Sequence, residues 1–152
     1  DVEPTNSIPF KNYVAKSVWK GERTILNGNM FSFIEPLEAT SSLFYARVID
    51  IVWSGALIKE NTFENCRFVD NAIRDELMKI QTFLLWHYQN GSKYDTPFWE
   101  YAKSLPFEKY EEFDEYIDKA QNWSVIEEIN LIDAPTYSQW PTSSFYTWLQ
   151  TI

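Results

Sequence analysis

Two carboxylates and a hydroxyl fall close together in the run Phe33-Ile34-Glu35-Pro36-Leu37-Glu38-Ala39-Thr40. Proline biases the residue before it away from the helical region, so Glu35 is expected in extended chain. Three residues on, Glu38 lies at the mouth of the helix that the following sequence opens, near the positive end of its dipole. Backbone N–H groups from Thr40 to Ser42 have no carbonyl one turn earlier and can hold an anion. The same residues also suit a structural role, with Glu38 favouring the dipole and Thr40 capping the helix. Spacing leaves both readings open.

Three other places carry possible chemistry. Asn27-Gly28 favours a tight turn with positive φ, and a hairpin turn is its ordinary reading, with a cofactor loop as the alternative. His87 ends the apolar stripe of a long helical pattern, where it serves either as a ligand-facing group or as a core histidine. Phe98 and Trp99 follow Asp95-Thr96-Pro97, a capping side chain with proline at the first turn, and are therefore held at a helix N-terminus.

The elements that position these groups are mostly helical. Val18 to Leu26 can supply a short strand ending at Asn27-Gly28. From Ser41 to Ile58, Phe44, Val48, Ile51 and Val52 recur at helical spacing, which predicts a helix with one buried face, capped by Thr40 or Ser41. From Phe63 to Tyr88, Cys66, Ile73, Ile80 and His87 recur by sevens with Leu77 and Leu84 between them. That pattern predicts a helix of about 25 residues, roughly 40 Å long, which Gly91 would stop. Glu108 to Ala120 places Tyr110, Phe113 and Ile117 on one side and Glu111, Glu112, Glu115 and Asp118 elsewhere, which predicts a helix with a solvated acidic face. Ser144 to Leu149, behind Pro141, gives a last helix. The expected fold class is mainly α with a small β element near the start, and no internal repeat is visible.

Composition bounds the function. With 152 residues, 45% of them apolar, the chain can bury a sizeable core. Seven Trp, nine Tyr and eleven Phe supply either bulky core or the walls of an apolar pocket. A net charge of −9 works against a nucleic-acid partner, which is bound through clustered Lys and Arg. No apolar run approaches the ~20 residues that span a bilayer, so no membrane partner is expected. The lone Cys66 permits no internal disulfide and fits a reducing compartment, so a soluble cytoplasmic protein is expected.

The stretch GNMFSFIEPLEATS, from Gly28 to Ser41, closely resembles the segment with which flavin-dependent tryptophan halogenases contact the isoalloxazine ring. DTPFW, from Asp95 to Trp99, resembles a second segment of that family, in the right order and about 60 residues later. The resemblance extends over nearly the whole chain and is weakest up to Ser17. It implies a helical C-terminal region joined to a small β element at the edge of an FAD-binding domain. On that basis residues 1–42 close the FAD-binding domain and residues 43–152 form a helical substrate-facing region.

The family's reaction uses reduced FAD from a separate flavin reductase, oxygen, and chloride or bromide. The oxidised halide crosses a short tunnel to a small aromatic substrate. Carried over by position, Gly28 and Asn29 lie beside the flavin, and Glu35, Pro36 and Leu37 form the turn against its ring. Met30, Phe31 and Ser32 stand where better-known members have smaller residues. Glu38 matches the glutamate that assists halogenation at the substrate carbon. Thr40 and Ser41 match the pair whose backbone amides hold halide, with serine where glycine is usual. Phe98 and Trp99 match an aromatic pair that stacks on substrate, and His87 and Tyr88 match two tyrosines that touch its amino-acid part. Tyr94 replaces an ammonium-reading glutamate, which disfavours free tryptophan and leaves another electron-rich aromatic, such as another indole.

The four glycines are too dispersed to form a dinucleotide fingerprint, and the family's catalytic lysine and Trp-rich signature have no counterpart in these residues. The chain is therefore expected to be inactive alone, and to meet either the missing N-terminal half of such an enzyme or another copy of itself. Two further readings stand beside the halogenase one: a non-catalytic, aromatic-rich helical binding module, and a flavin-dependent monooxygenase that does not halogenate.

Overall fold

The computed structural model describes residues 11–21, 24–34, 40–58, 63–122 and 136–150. The chain forms two compact units, residues 1–70 and 71–152. The first unit includes Gly28 to Ser41 in sequence, together with the helix that follows.

In the first unit, β1 (Tyr13–Val14) pairs antiparallel with β4 (Ser32–Phe33), placing Tyr13 opposite Phe33 and Val14 opposite Ser32. Between them in sequence, β2 (Trp19–Lys20) pairs antiparallel with β3 (Thr24–Ile25). The run Val18 to Leu26 is thus two strands folded back on each other instead of one. The chain turns after β2, where Gly21 has φ +71°, a conformation open to glycine at little cost. Asn27-Gly28 does not make a hairpin turn. It opens a short 3-10 turn, Gly28–Met30, in which the Asn27 side chain accepts the Gly28 N–H.

The β part is anchored by Asp70. Its carboxylate accepts the Val18 N–H at 3.0 Å and the Ser17 hydroxyl at 2.8 Å. The Trp19 indole N–H donates to the Cys66 carbonyl at 3.3 Å. Val18 is thereby held fully buried although it lies in irregular chain.

Helix α1 (Thr40–Val52) runs into a π-helical turn, Trp53–Leu57. Phe44, Val48, Val52 and Ala56 are buried, as the helical spacing predicts, whereas Ile51 is only half-buried. Gly55 admits close packing, since a Cβ there would stand 2.6 Å from Val69 Cγ2.

Helix α2 (Phe63–Asn90) spans the predicted long helix and two residues more. Its part in the second unit buries Ile73, Leu77, Ile80, Leu84 and His87, the stripe read from the sequence, and buries Phe83 and Trp86 besides. The unit continues with α3 (Pro97–Ser104), α4 (Phe113–Gln121), the antiparallel pair β5 (Thr136–Tyr137) and β6 (Trp140–Pro141), and α5 (Thr142–Leu149). The mainly α class is as expected.

The core of this unit is aromatic. Phe83 stacks on Trp140 with centroids 3.7 Å apart and meets Phe145 edge-on at 5.1 Å. Tyr137 is fully buried between Phe113 at 5.3 Å and Tyr116 at 5.0 Å. Burial pushes its phenol pKa well up.

Helix α4 begins later than predicted, at Phe113, and Tyr110 lies outside it. The Tyr110 N–H donates to the Thr82 hydroxyl at 3.0 Å and is withdrawn from any helical ladder. The acidic residues Glu111, Glu112, Asp114, Glu115 and Asp118 are exposed, as read from the sequence. Exposed pairs such as Lys119–Glu115 at 2.7 Å contribute little to stability.

Gly91 ends α2 through close approach. Its N–H donates to the His87 carbonyl at 2.7 Å. A Cβ would meet that same carbonyl and would stand 2.5 Å from the Trp148 ring. Gly91→Ala is therefore expected to cost about 1–3 kcal/mol, the range for overpacking. Thermal unfolding followed by circular dichroism tests this, and an unchanged melting temperature would show that Trp148 does not pack there.

Candidate functional site

Glu35, Pro36, Leu37 and Glu38 lie outside the described residues, and the structure is informative on their flanks. The chain enters the segment through Ile34, which is buried, and leaves it at Thr40, which is buried at the start of α1. The Ser41 hydroxyl donates to the Ile34 carbonyl at 3.1 Å. That hydrogen bond joins the two described flanks of the segment, across six intervening positions in sequence. It also engages the Ser41 side chain, which leaves backbone groups as the donors that Ser41 can offer to an anion.

The 3-10 turn Gly28–Met30 is fastened to α1 by a polar network. Asn27 Nδ2 donates to the Tyr45 carbonyl at 3.1 Å while Asn27 Oδ1 accepts the Gly28 N–H at 2.8 Å. The Tyr45 hydroxyl lies 2.8 Å from Asn29 Oδ1 and 3.0 Å from the Ser32 carbonyl. The Tyr13 hydroxyl donates to the Asn29 carbonyl. Gly28 has φ +58°, and a Cβ there would meet nothing within 4 Å. Glycine thus serves backbone conformation here, and the space beside it is open.

Two bulky residues near this turn point in opposite directions. Phe31 is buried, with its ring 6.3 Å from that of Phe44, whereas Met30 is largely exposed. Ser32 is fully buried, and its hydroxyl makes no hydrogen bond among the described residues. Sequence reasoning missed Asn27, Tyr13 and Tyr45 as the supports of this turn. The signal available for Asn27 was its preference for local side-chain to backbone bonds. Nothing in spacing ties Tyr45 to a turn sixteen residues earlier.

In the second unit the aromatic residues predicted to face substrate are brought together, except one. Phe98 and Trp99 lie with ring centroids 5.0 Å apart, and each is 6.2 Å from Tyr88. Phe98 is exposed and Trp99 and Tyr88 are half-buried, so this cluster presents ring surface outward. His87 instead turns inward. It is buried, with Nδ1 2.9 Å from the Phe83 carbonyl, which fixes Nδ1 as the donor. Its ring lies 4.0 Å from Phe83 and 4.2 Å from Trp148. Tyr94 is exposed. Among the described residues no cluster of His, Cys, Asp and Glu suits a metal ion, and no helix is long and apolar enough to cross a membrane.

This fold is that of halogenases already solved. It matches a tryptophan 6-halogenase (SttH) from Streptomyces toxytricini with a TM-score of 0.67 and 18% identity, over 95% of this chain and 28% of the other. It also matches a thermophilic tryptophan halogenase (Th-Hal) from Streptomycin violaceusniger with a TM-score of 0.62 and 19% identity, over 91% of this chain and 26% of the other. Residues 1–146 match the family model for tryptophan halogenase, and the chain belongs to that family. It spans about a quarter of the length of these solved relatives.

Proposed function

We propose that this chain is the C-terminal portion of a flavin-dependent halogenase-like oxidoreductase, which halogenates an electron-rich aromatic such as an indole. The observation that carries this reading is the Ser41–Ile34 hydrogen bond that joins the flanks of the Glu35 to Thr40 stretch, together with the open glycine turn at Gly28, within a chain of the tryptophan halogenase family. The open backbone at Gly28 and the exposed Asn29 fit a planar cofactor such as FAD lying against the turn. Phe31, turned into the core, does not obstruct that approach.

Gly28, Asn29, Glu35, Pro36 and Leu37 would hold the flavin, and reduced FAD bound there would supply the activated oxygen that oxidises halide. Backbone amides of Thr40 and Ser41, at the positive end of the thirteen-residue α1, hold chloride or bromide. Glu38, two residues before α1 in sequence, polarises the oxidant or accepts the ring proton of the substrate. Tyr88, Phe98 and Trp99 supply ring faces for an aromatic substrate.

Mass spectrometry of the product from a complete enzyme carrying this segment, supplied with reduced FAD, oxygen and chloride, tests the reading. A chlorinated aromatic is expected. A hydroxylated one would favour a monooxygenase, and the exposed aromatic cluster without turnover would favour a helical binding module. The chain alone supplies one wall of the flavin site, so FAD is expected to bind it weakly or not at all. Flavin fluorescence titration measures this, and tight stoichiometric binding would refute the view that most of the site lies elsewhere.

A further inference from the structure

Two asparagines flank Gly28, and the fold uses them differently. The Asn27 side chain is engaged with backbone at both ends, with Nδ2 donating to the Tyr45 carbonyl and Oδ1 accepting the Gly28 N–H. Asn29 is exposed and is held only at its two oxygens. Its backbone carbonyl accepts the Tyr13 hydroxyl, and its side-chain Oδ1 accepts the Tyr45 hydroxyl at 2.8 Å. The Asn29 amide nitrogen has no partner among the described residues.

The Tyr45 hydroxyl carries one proton, which faces two acceptors, Asn29 Oδ1 and the Ser32 carbonyl at 3.0 Å. In this three-centre bond the carboxamide presents its oxygen to the tyrosine, so its N–H pair is turned away from Tyr45. Tyr45 is half-buried and follows Phe44, which is fully buried in the same helix, so the phenol is held by a packed element. An untethered carboxamide has a broad, roughly two-fold torsion and offers oxygen or nitrogen to a ligand alike. Tethered at its oxygen, Asn29 offers only donors.

We propose that Tyr45 is a positioning residue that fixes the polarity of Asn29, so that this turn reads a hydrogen-bond acceptor on the edge of a planar ligand. In a flavin such acceptors are the two carbonyl oxygens of the ring system. The proposal rests on the reading of Gly28 and Asn29 as cofactor contacts, and it adds what that contact selects and which residue of α1 sets it.

Nuclear magnetic resonance of the isolated chain tests the orientation. The Asn29 side-chain carbonyl carbon is expected to shift upfield in Tyr45→Phe and to stay in place in Tyr13→Phe, since the Tyr13 hydroxyl meets only the backbone carbonyl. An unmoved carbon in Tyr45→Phe overturns the proposal. So does an Asn29 side-chain N–H pair that is protected from solvent exchange until Tyr45 loses its hydroxyl, because the amide would then be reversed.

A complete enzyme containing this segment tests the role in binding, through FAD dissociation constants measured by flavin fluorescence. Tyr45→Phe and Asn29→Ala are each expected to weaken binding about 2- to 10-fold, the worth of one hydrogen bond. The double variant should bind no more weakly than Asn29→Ala alone, because Tyr45 acts through Asn29. Flavin labelled with carbon-13 at its ring carbonyls should show the same upfield shift in both single variants. FAD bound with additive losses, or with unchanged carbonyl shifts, overturns the positioning role and leaves the cofactor reading standing. A complete enzyme that binds no FAD overturns both.

Discussion

Phe83→Ala is expected to cost the second unit about 3–5 kcal/mol, the range for removing a buried aromatic side chain. The ring is 1% exposed and lies at the centre of the aromatic core. It stacks on Trp140 at 3.7 Å, meets the His87 ring at 4.0 Å and Phe145 at 5.1 Å, and reaches Trp86 at 6.2 Å. Its neighbours come from α2, β6 and α5 and are large and rigid, so they cannot collapse into the space left behind. A domain's net stability is about 5–15 kcal/mol, and the loss is therefore a large part of it. Denaturant unfolding followed by far- and near-ultraviolet circular dichroism measures the change. Phe83→Leu refills most of the volume and should recover much of the stability. A loss below about 1 kcal/mol for Phe83→Ala would mean that this core is not packed as described.

Phe83 also shows what the sequence concealed. The sevenfold recurrence from Cys66 to His87 specified α2 and one buried stripe, because helical periodicity is written in local spacing. Phe83 and Trp86 lie off that recurrence, and their burial depends on Trp140, Phe113 and Phe145, which spacing within α2 cannot place. The β5–β6 pair that carries Trp140 was likewise invisible, since two residues per strand leave no alternation to read. A helix from Glu108 to Ala120 was foreseen, but it starts only at Phe113, and the contact of the Tyr110 N–H with the Thr82 hydroxyl joins residues 28 apart, which spacing cannot place.

The candidate site divides in the same way. Gly28 was legible, since Asn-Gly announces positive φ, although the turn it makes is 3-10 and not a hairpin. Thr40 was legible as a helix start. The hydrogen bond of Ser41 to Ile34, and the fastening of the glycine turn by Tyr45, are contacts across seven and thirteen or more residues that depend on how α1 packs. His87 was open between core and ligand, and the aromatic rings around it place it in the core.

Glu38→Gln, made in a complete enzyme containing this segment, is expected to lower halogenation by about 10²-fold or more. The substitution keeps the size of the side chain and most of its hydrogen bonding but removes its charge and basicity. In sequence the residue lies two positions before α1, between Ile34 and Ser41, whose carbonyl and hydroxyl are hydrogen-bonded. A carboxylate there has one of two tasks. If it acts at the substrate, product formation collapses while flavin reoxidation, which depends on the other wall of the site, stays almost unchanged. If it only complements the helix dipole, the change costs about 0.3–1 kcal/mol of stability and little activity. Product formation, flavin reoxidation and melting temperature measured on the one variant separate these tasks. Because dipole partners lose stability before they lose rate and catalytic groups do the reverse, normal halogenation with a lowered melting point would remove Glu38 from the chemistry and leave it as a structural residue at the start of α1.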